Sequence, residues 1–342
     1  MISDRPLIVS SSPHTRTDEN TRSIMLDVII ALTPALVLAV YYFGFRALLL
    51  TLVSVAACIT FEFLWQKLMK KTIAVGDLSA IVTGMLIAYN IPASAPYWLP
   101  VVGALFAIIV VKQLYGGIGK NFMNPALAAR AFLFSWPGIM SSWPAIITTG
   151  DAKLQGIPLW GDMADVVTAA TPLVSLRREM LPQEDFFQLL LGSHGGSLGE
   201  TSAIVLLLGG AYLVIRKVIS PRIPLCYIGT VALITFLTPP ENIAGHEWML
   251  AHVLSGGLML GAIFMATDYS TSPVTKWGQV IFGIGCGLLT VFIRYFGSYV
   301  EGVSYSILIM NACVWVIDKI ARPRRYGKPL FGGRFRKAGA GK

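Results

Sequence analysis

Ten apolar runs divide the chain, near residues 24–43, 46–66, 78–91, 97–114, 122–140, 200–215, 223–240, 250–267, 277–296 and 303–320. A helix crossing a bilayer needs ~20 mostly apolar residues, about twice what a barrel strand needs. Hydrocarbon offers no partner to a free backbone amide, so runs of this length must be helical. Composition points the same way, with 55% hydrophobic and 13% charged residues against roughly 45–50% and about 25% in soluble domains. So little charge cannot cover a water-soluble globule of this length, and the apolar runs exclude disorder. The expected fold is all-α, a polytopic membrane helical bundle of about ten transmembrane helices.

The loops orient it. With the N-terminus inside, the cytoplasmic side collects twenty-one of the 27 Lys and Arg, while the opposite side receives Arg46, Lys153, Arg177, Arg178 and Arg294. Positive loops stay in the cytoplasm, so both termini are expected inside. The same rule assigns the basic tail to the membrane surface rather than to nucleic acid. Residues 1–23 are polar and lack the apolar core of a signal peptide, so the first run is expected to remain in the mature protein. The expected layout is a cytoplasmic segment 1–23, a five-helix unit 24–140, an extracytoplasmic loop 141–199, a second five-helix unit 200–320 and a basic cytoplasmic tail 321–342.

The two units echo one another. Lys112-Gln-Leu-Tyr-Gly-Gly ends the fourth run as Arg294-Tyr-Phe-Gly-Ser ends the ninth, and Gly84 before Pro92 matches Gly261 before Pro273, both about 180 residues apart. Five spans per unit is an odd number, so a repeat of this kind must be inverted. The third and eighth runs are short, at matching positions. They read either as helices that stop partway beside a central site or as spans finished by extended chain.

Most familiar motifs fail. Gly116-Gly-Ile-Gly-Lys-Asn121 has Leu114 and Asn121 where a phosphate loop needs Gly and Ser or Thr. Gly283, Gly285 and Gly287 lie inside an apolar run and read as close helix packing. Histidine spacing gives no metal pair. Cys58, Cys226, Cys286 and Cys313 are scattered through apolar stretches and read as buried inert thiols. Ionisable residues within the runs carry more information, because each costs ~2.5–3.5 kcal/mol near a helix centre. Asp27 stands one turn into its helix, where headgroup water can reach it. Glu62 and Asp268 also qualify. Arg130 needs an anion or carbonyl inside the bundle, either in an ion pathway or in a structural pair. Asn121 and Asn124 offer amides beside a helix start, where backbone N–H groups attract anions or electron-rich rings.

The segment after the fifth run is the most informative. Asp165-Val-Val-Thr168-Ala-Ala-Thr171-Pro172-Leu173 is small, β-branched and hydroxyl-bearing. Taken alone it is a turn or a membrane-surface segment. In a ten-span chain, Thr168-Ala-Ala-Thr171 resembles the signature at which FMN is attached through a phosphoester to the last threonine in the RnfD/NqrB family of membrane redox subunits. The resemblance extends to SSPHTR…TRSIMLDVIIALTP, KQLYGGIGKNFMNPALAARAF, ATPL, ATDYSTSPVT and SYVEGVSYSILIMN…ARPRRYGKP. The compact length, short N-terminus and RPRRYG ending resemble the Rnf branch more than the sodium-pumping quinone reductase branch. Val166 departs from the glycine common in the family, while Asp165, Thr168 and Thr171 match.

The resemblance implies covalent FMN at Thr171, with Asp165 and Thr168 in the attachment motif. It also implies an FMN transferase for maturation, and a second, noncovalent flavin (riboflavin) in the bundle. For that second group Asn121, Asn124 and Asp268 are the candidates. It implies a membrane electron carrier, not catalytic alone, inside a hetero-oligomeric Rnf complex that joins ferredoxin and NAD and moves Na⁺ or H⁺. The rival reading is a channel or transporter for a small polar solute, with a urea-channel-like inverted-repeat bundle.

Overall fold

The computed structural model describes residues 20–144, 171–200, 202–297, 299 and 301–322. Helix α1 (Thr21–Phe43) starts at Asn20, whose side chain accepts the Ser23 N–H at 2.9 Å in a reciprocal capping box. Gly44, at φ 76°, turns it straight into α2 (Phe45–Leu68). Then come α3 (Ser79–Tyr89) and α4 (Trp98–Gln113). The second half of α4, Phe106–Gln113, winds as a π-helix, with Leu114 N–H reaching Ile109 O at 3.0 Å. Next are α5 (Pro125–Leu133) and the single turn α6 (Pro137–Met140). The run expected as one span over 122–140 is therefore broken. Pro137 has no N–H for the helix ladder and its ring blocks the carbonyl one turn back, so α5 ends before it.

Short α7 (Pro172–Arg177) and α8 (Phe186–Leu191) precede α9 (Ala203–Ile215) and α10 (Arg222–Leu237). The eighth run is two helices, α11 (Gly245–Leu254) and α12 (Leu258–Met265), bent by 66° at a break containing Gly256, whose φ is 73°. Finally α13 (Lys276–Phe296) and α14 (Val303–Ile320) close the bundle. Among the described residues there is no strand; Pro92 and Ser197 form one isolated backbone bridge.

Every expected run thus contains helix, and the chain is an all-α polytopic membrane protein. Four helices, α1, α2, α13 and α14, are long and apolar enough to cross a membrane alone, and the bent α11–α12 pair makes a fifth. Helices α3, α4, α9 and α10 are apolar but shorter. From Thr83 to Tyr89 every residue of α3 is buried. Past Asn90 the chain turns, with Ala95 N–H donating to Pro92 O at 3.1 Å, so the third run is a helix that stops partway. Both broken spans have their loose carbonyls met by a guanidinium. Arg46 donates to Ala93 O at 2.9 Å and Ala95 O at 2.8 Å, and Arg294 donates to His252 O at 2.6 Å and Ser255 O at 3.2 Å. Irregular backbone at membrane depth is tolerated where protein satisfies it in this way.

The first helices of the two units are antiparallel. Asp27 near the start of α1 accepts from Tyr212 at 2.8 Å and Arg216 at 3.2 Å at the end of α9. At the other end of α1, Tyr42 donates to Leu191 O, before α9 begins. Opposite starting directions are what an inverted repeat requires. The contact corrects the reading of Asp27, which is 8% exposed and paired rather than bathed in headgroup water. The Gly84–Gly261 echo is looser: Gly84 lies against the Val55 backbone of α2, Gly261 against Val303 of α14. Close packing at the glycine triplet holds, since Cβ atoms at Gly283 and Gly287 would stand 2.8 Å from Cys226 Cβ and 2.6 Å from Thr230 Cβ. Gly285 faces Met310 of α14 instead. Cys58 and Cys286 are buried, but Cys313 is exposed, against expectation, on the outer face of α14.

Candidate functional site

Among the described residues, two of the cavities lie at opposite ends of the bundle and are joined by α5. Its cap residue Asn124 lines one and Phe134, just past its end, lines the other. Ten helical steps put them ~15 Å apart.

The cavity at the Thr171 end holds about 340 Å³, within the ~300–1,000 Å³ usual for ligand pockets. Thr171 is the N-cap of α7, in extended backbone (φ −71°, ψ 151°), and its side chain makes no capping hydrogen bond. Pro172 follows at the first helical position, where a missing N–H costs nothing. The hydroxyl is thus left free of the helix, on the cavity lining. Facing it are Phe134, Tyr299 and Tyr305, with the tyrosine centroids 4.8 Å apart and Phe134 6.2 Å from Tyr305. Apolar rings with few polar groups suit a flat aromatic ligand.

Beneath the rings sits a buried ionic floor. Arg130, 2% exposed, donates to Asn90 Oδ1 at 2.7 Å, pairs with Glu301 and lies 3.8 Å from Glu200. The anionic partner that the sequence demanded of Arg130 is therefore a pair of carboxylates. Burial raises the Glu301 carboxyl above its ordinary range, with Arg130 pulling the other way and Glu200 adding to the rise. Several buried polar atoms here lack a hydrogen-bond partner: Glu200 Oε1, Glu301 Oε1, Ser304 Oγ and His252 Nε2 among them. Unpartnered buried atoms are rare in native proteins and mark places where water or a ligand completes the set. The residues present fit a tethered flavin.

The cavity at the Lys112 end brings Asn121, Asn124 and Asp268 together, as the sequence proposed. Their amides are not free, however. Asn124 Oδ1 caps α5 by accepting from Ala126 N and Leu127 N, and its Nδ2 donates to Met265 O at 3.2 Å. Asn121 donates to Met123 O at 3.4 Å. Asp268 accepts from Ser270 at 3.0 Å and Thr271 at 3.2 Å. Burial raises its carboxyl, and those hydrogen bonds oppose the rise. Beside them Lys112 Nζ lies 2.8 Å from Glu62 Oε2 and 2.6 Å from Ser79 Oγ, while Gln113 donates to Glu62 Oε1 at 2.8 Å. The space is about 90 Å³, room for a few waters. A flavin ring does not fit there unless lining side chains such as Ile118 and Phe264 move apart.

Asp165 and Thr168 lie outside the described residues. Sequence reasoning missed Glu200, Glu301, Tyr299 and Tyr305. Its one usable signal was Arg130, an intramembrane cation with no acid nearby in the chain, which pointed to distant carboxylates at helix ends.

A family model described as NQR2, RnfD, RnfE matches residues 8–327. The chain belongs to that family. It is 49% identical over 325 residues, 94% of this chain and 95% of the relative, to the D-type subunit of the Na⁺-translocating ferredoxin:NAD⁺ oxidoreductase complex of Acetobacterium woodii. The D-type subunit of the proton-translocating ferredoxin:NAD⁺ oxidoreductase complex of Clostridium ljungdahlii is 40% identical, with 93% and 96% of the two chains covered. That of the ion-translocating oxidoreductase complex of Escherichia coli K12 is 35% identical, with 93% and 98% covered. Such relatives, with the apolar helices, make the family member a multi-pass membrane protein.

Proposed function

We propose that the chain is the electron-carrying membrane subunit of an Rnf-type ion-translocating ferredoxin:NAD oxidoreductase complex, with FMN esterified to Thr171. The supporting observation is the uncommitted Thr171 hydroxyl on the lining of a 340 Å³ aromatic cavity. Bound FMN would supply the electron-transfer chemistry. The protein's part is to bind and orient. A free phosphate dianion is strongly disfavoured near hydrocarbon, and an ester to Thr171 removes one charge and keeps the ring at high effective concentration. Phe134, Tyr299 and Tyr305 would hold the ring above Arg130 and its paired carboxylates. An FMN transferase would install the group, and the remaining Rnf subunits would contribute the ferredoxin and NAD sites. Named relatives move Na⁺ in one case and protons in another, so the reading covers either ion.

In this scheme the Thr171 end faces outside, both termini lie in the cytoplasm, and the membrane is the bacterial inner membrane. The riboflavin expected at Asn121, Asn124 and Asp268 is not carried into this reading, because the 90 Å³ space there does not hold a flavin ring. A solute pore is the weaker reading, because Arg130 on α5, which joins the two cavities, is buried and tied to Asn90 and Glu301.

The test is in-gel fluorescence after denaturation, from cells that also express the transferase. Wild-type protein should glow, and Thr171→Ala should be dark. A dark wild-type band, or a fluorescent variant, would refute covalent attachment at this residue.

A further inference from the structure

The ionic floor beneath the rings holds two acids where one would satisfy Arg130. Glu200 is 8% exposed and Ser304 4%. Glu200 Oε1, Glu301 Oε1 and Ser304 Oγ have no hydrogen-bond partner, and all three residues line the Thr171 cavity. The two carboxyl oxygens converge. A Cβ placed on Gly257 would stand 2.6 Å from Glu301 Oε1 and 3.3 Å from Glu200 Oε1. Only glycine leaves that point open, at the break between α11 and α12.

We propose that Glu200 and Glu301 form a one-proton site that gains a proton when an electron enters the Thr171 cavity and loses it when the electron leaves. The proposal rests on the flavin reading above for the source of the electron. Each cycle balances: one electron arrives on the ring and one proton from the outer aqueous phase converts a carboxylate to a carboxylic acid. When the electron passes on to its acceptor, the proton returns to the outer aqueous phase.

Charge explains why such a site belongs here. Arg130 and Arg294 offset the two carboxylates when both are ionised. An added electron in a low-dielectric site then has no counter-charge, and Coulomb repulsion from two nearby carboxylates favours protonation of one. The groups facing the pair are Arg130 from α5, Arg294 from α13 with His252 of α11 beside it, and Tyr299 and Tyr305 flanking the start of α14. Arg130 opposes protonation. Burial favours protonation of Glu301, and so does the neighbouring Glu200. With its value raised, Glu301 keeps its proton to a higher pH than an ordinary carboxyl and empties as pH climbs through that value.

The test has two arms. In the flavin-free Thr171→Ala protein, infrared difference spectra against pH should show a carboxylic C=O band persisting above the ordinary carboxyl range. It should vanish in Thr171→Ala/Glu301→Gln. No such band, or one that survives the second substitution and also Glu200→Gln, overturns the proposal. In the assembled flavin-loaded complex, the midpoint potential should depend less on pH in Glu301→Gln than in wild type, and Glu301→Asp should restore the slope. An unchanged slope in Glu301→Gln overturns the coupling to the electron. A dark wild-type gel band with the infrared band present would sink the flavin reading and leave the proton site standing.

Discussion

The two ends of the bundle solve the same problem in opposite ways. At the Lys112 end a buried cation, a carboxylate and two glutamines satisfy one another. Glu62 accepts from Lys112 at 2.8 Å, from Gln113 at 2.8 Å and from Gln66 at 3.3 Å, and little space is left. At the Thr171 end a larger cavity is lined by residues whose polar atoms still lack partners, Glu200 Oε1, Glu301 Oε1 and Ser304 Oγ. Completed polar networks stabilise a fold, whereas incomplete ones are expensive and are kept where something else completes them. The difference marks the first end as a clamp and the second as a receptacle.

The broadest way to break this contrast is topological. A reporter active only outside the cytoplasm should be fully active when fused near Gln183 and silent when fused at Gly339. The reverse would put the receptacle on the wrong face. Next in size is Lys112→Met, which strands Glu62 with only amide donors. Removing one partner of a buried pair costs about 3–5 kcal/mol, so thermal unfolding in detergent should drop sharply. Arg130→Met should cost less, about 1–3 kcal/mol, because Arg294 remains nearby and Glu301 can neutralise itself with a proton. If Arg130→Met proves the more damaging of the two, the clamp and receptacle assignments are exchanged.

Much of the architecture was legible because lipid punishes ambiguity. Each of the ten apolar runs contains helix, and the Gly283 and Gly287 contacts followed from spacing alone. Local breaks were harder. Pro137 announces the end of α5, yet apolar residues on both sides disguised it as one span. The half-length of α3 left two readings open, and the turn at Pro92–Ala95 decides for a helix that stops partway. Asp27 was misplaced because Tyr212 and Arg216, which bury it, lie far along the chain. The site itself divided along the same line. Thr171 was accessible to reading because its motif is contiguous. The carboxylates under it were not, since Arg130 meets Glu200 and Glu301 only after both units have folded together. Asp165 and Thr168 rest on the motif alone.

The π-helical stretch Phe106–Gln113 has a consequence for how this clamp is aimed. Wide turns carry a spare residue compared with an ordinary helix. Rewound as an ordinary α-helix with that residue kept, the stretch would swing everything after it by ~100° about the axis. Lys112 would then sweep out toward lipid, with Glu62 left behind. Here the cation's heading is written in the winding of the chain rather than in the choice of side chain.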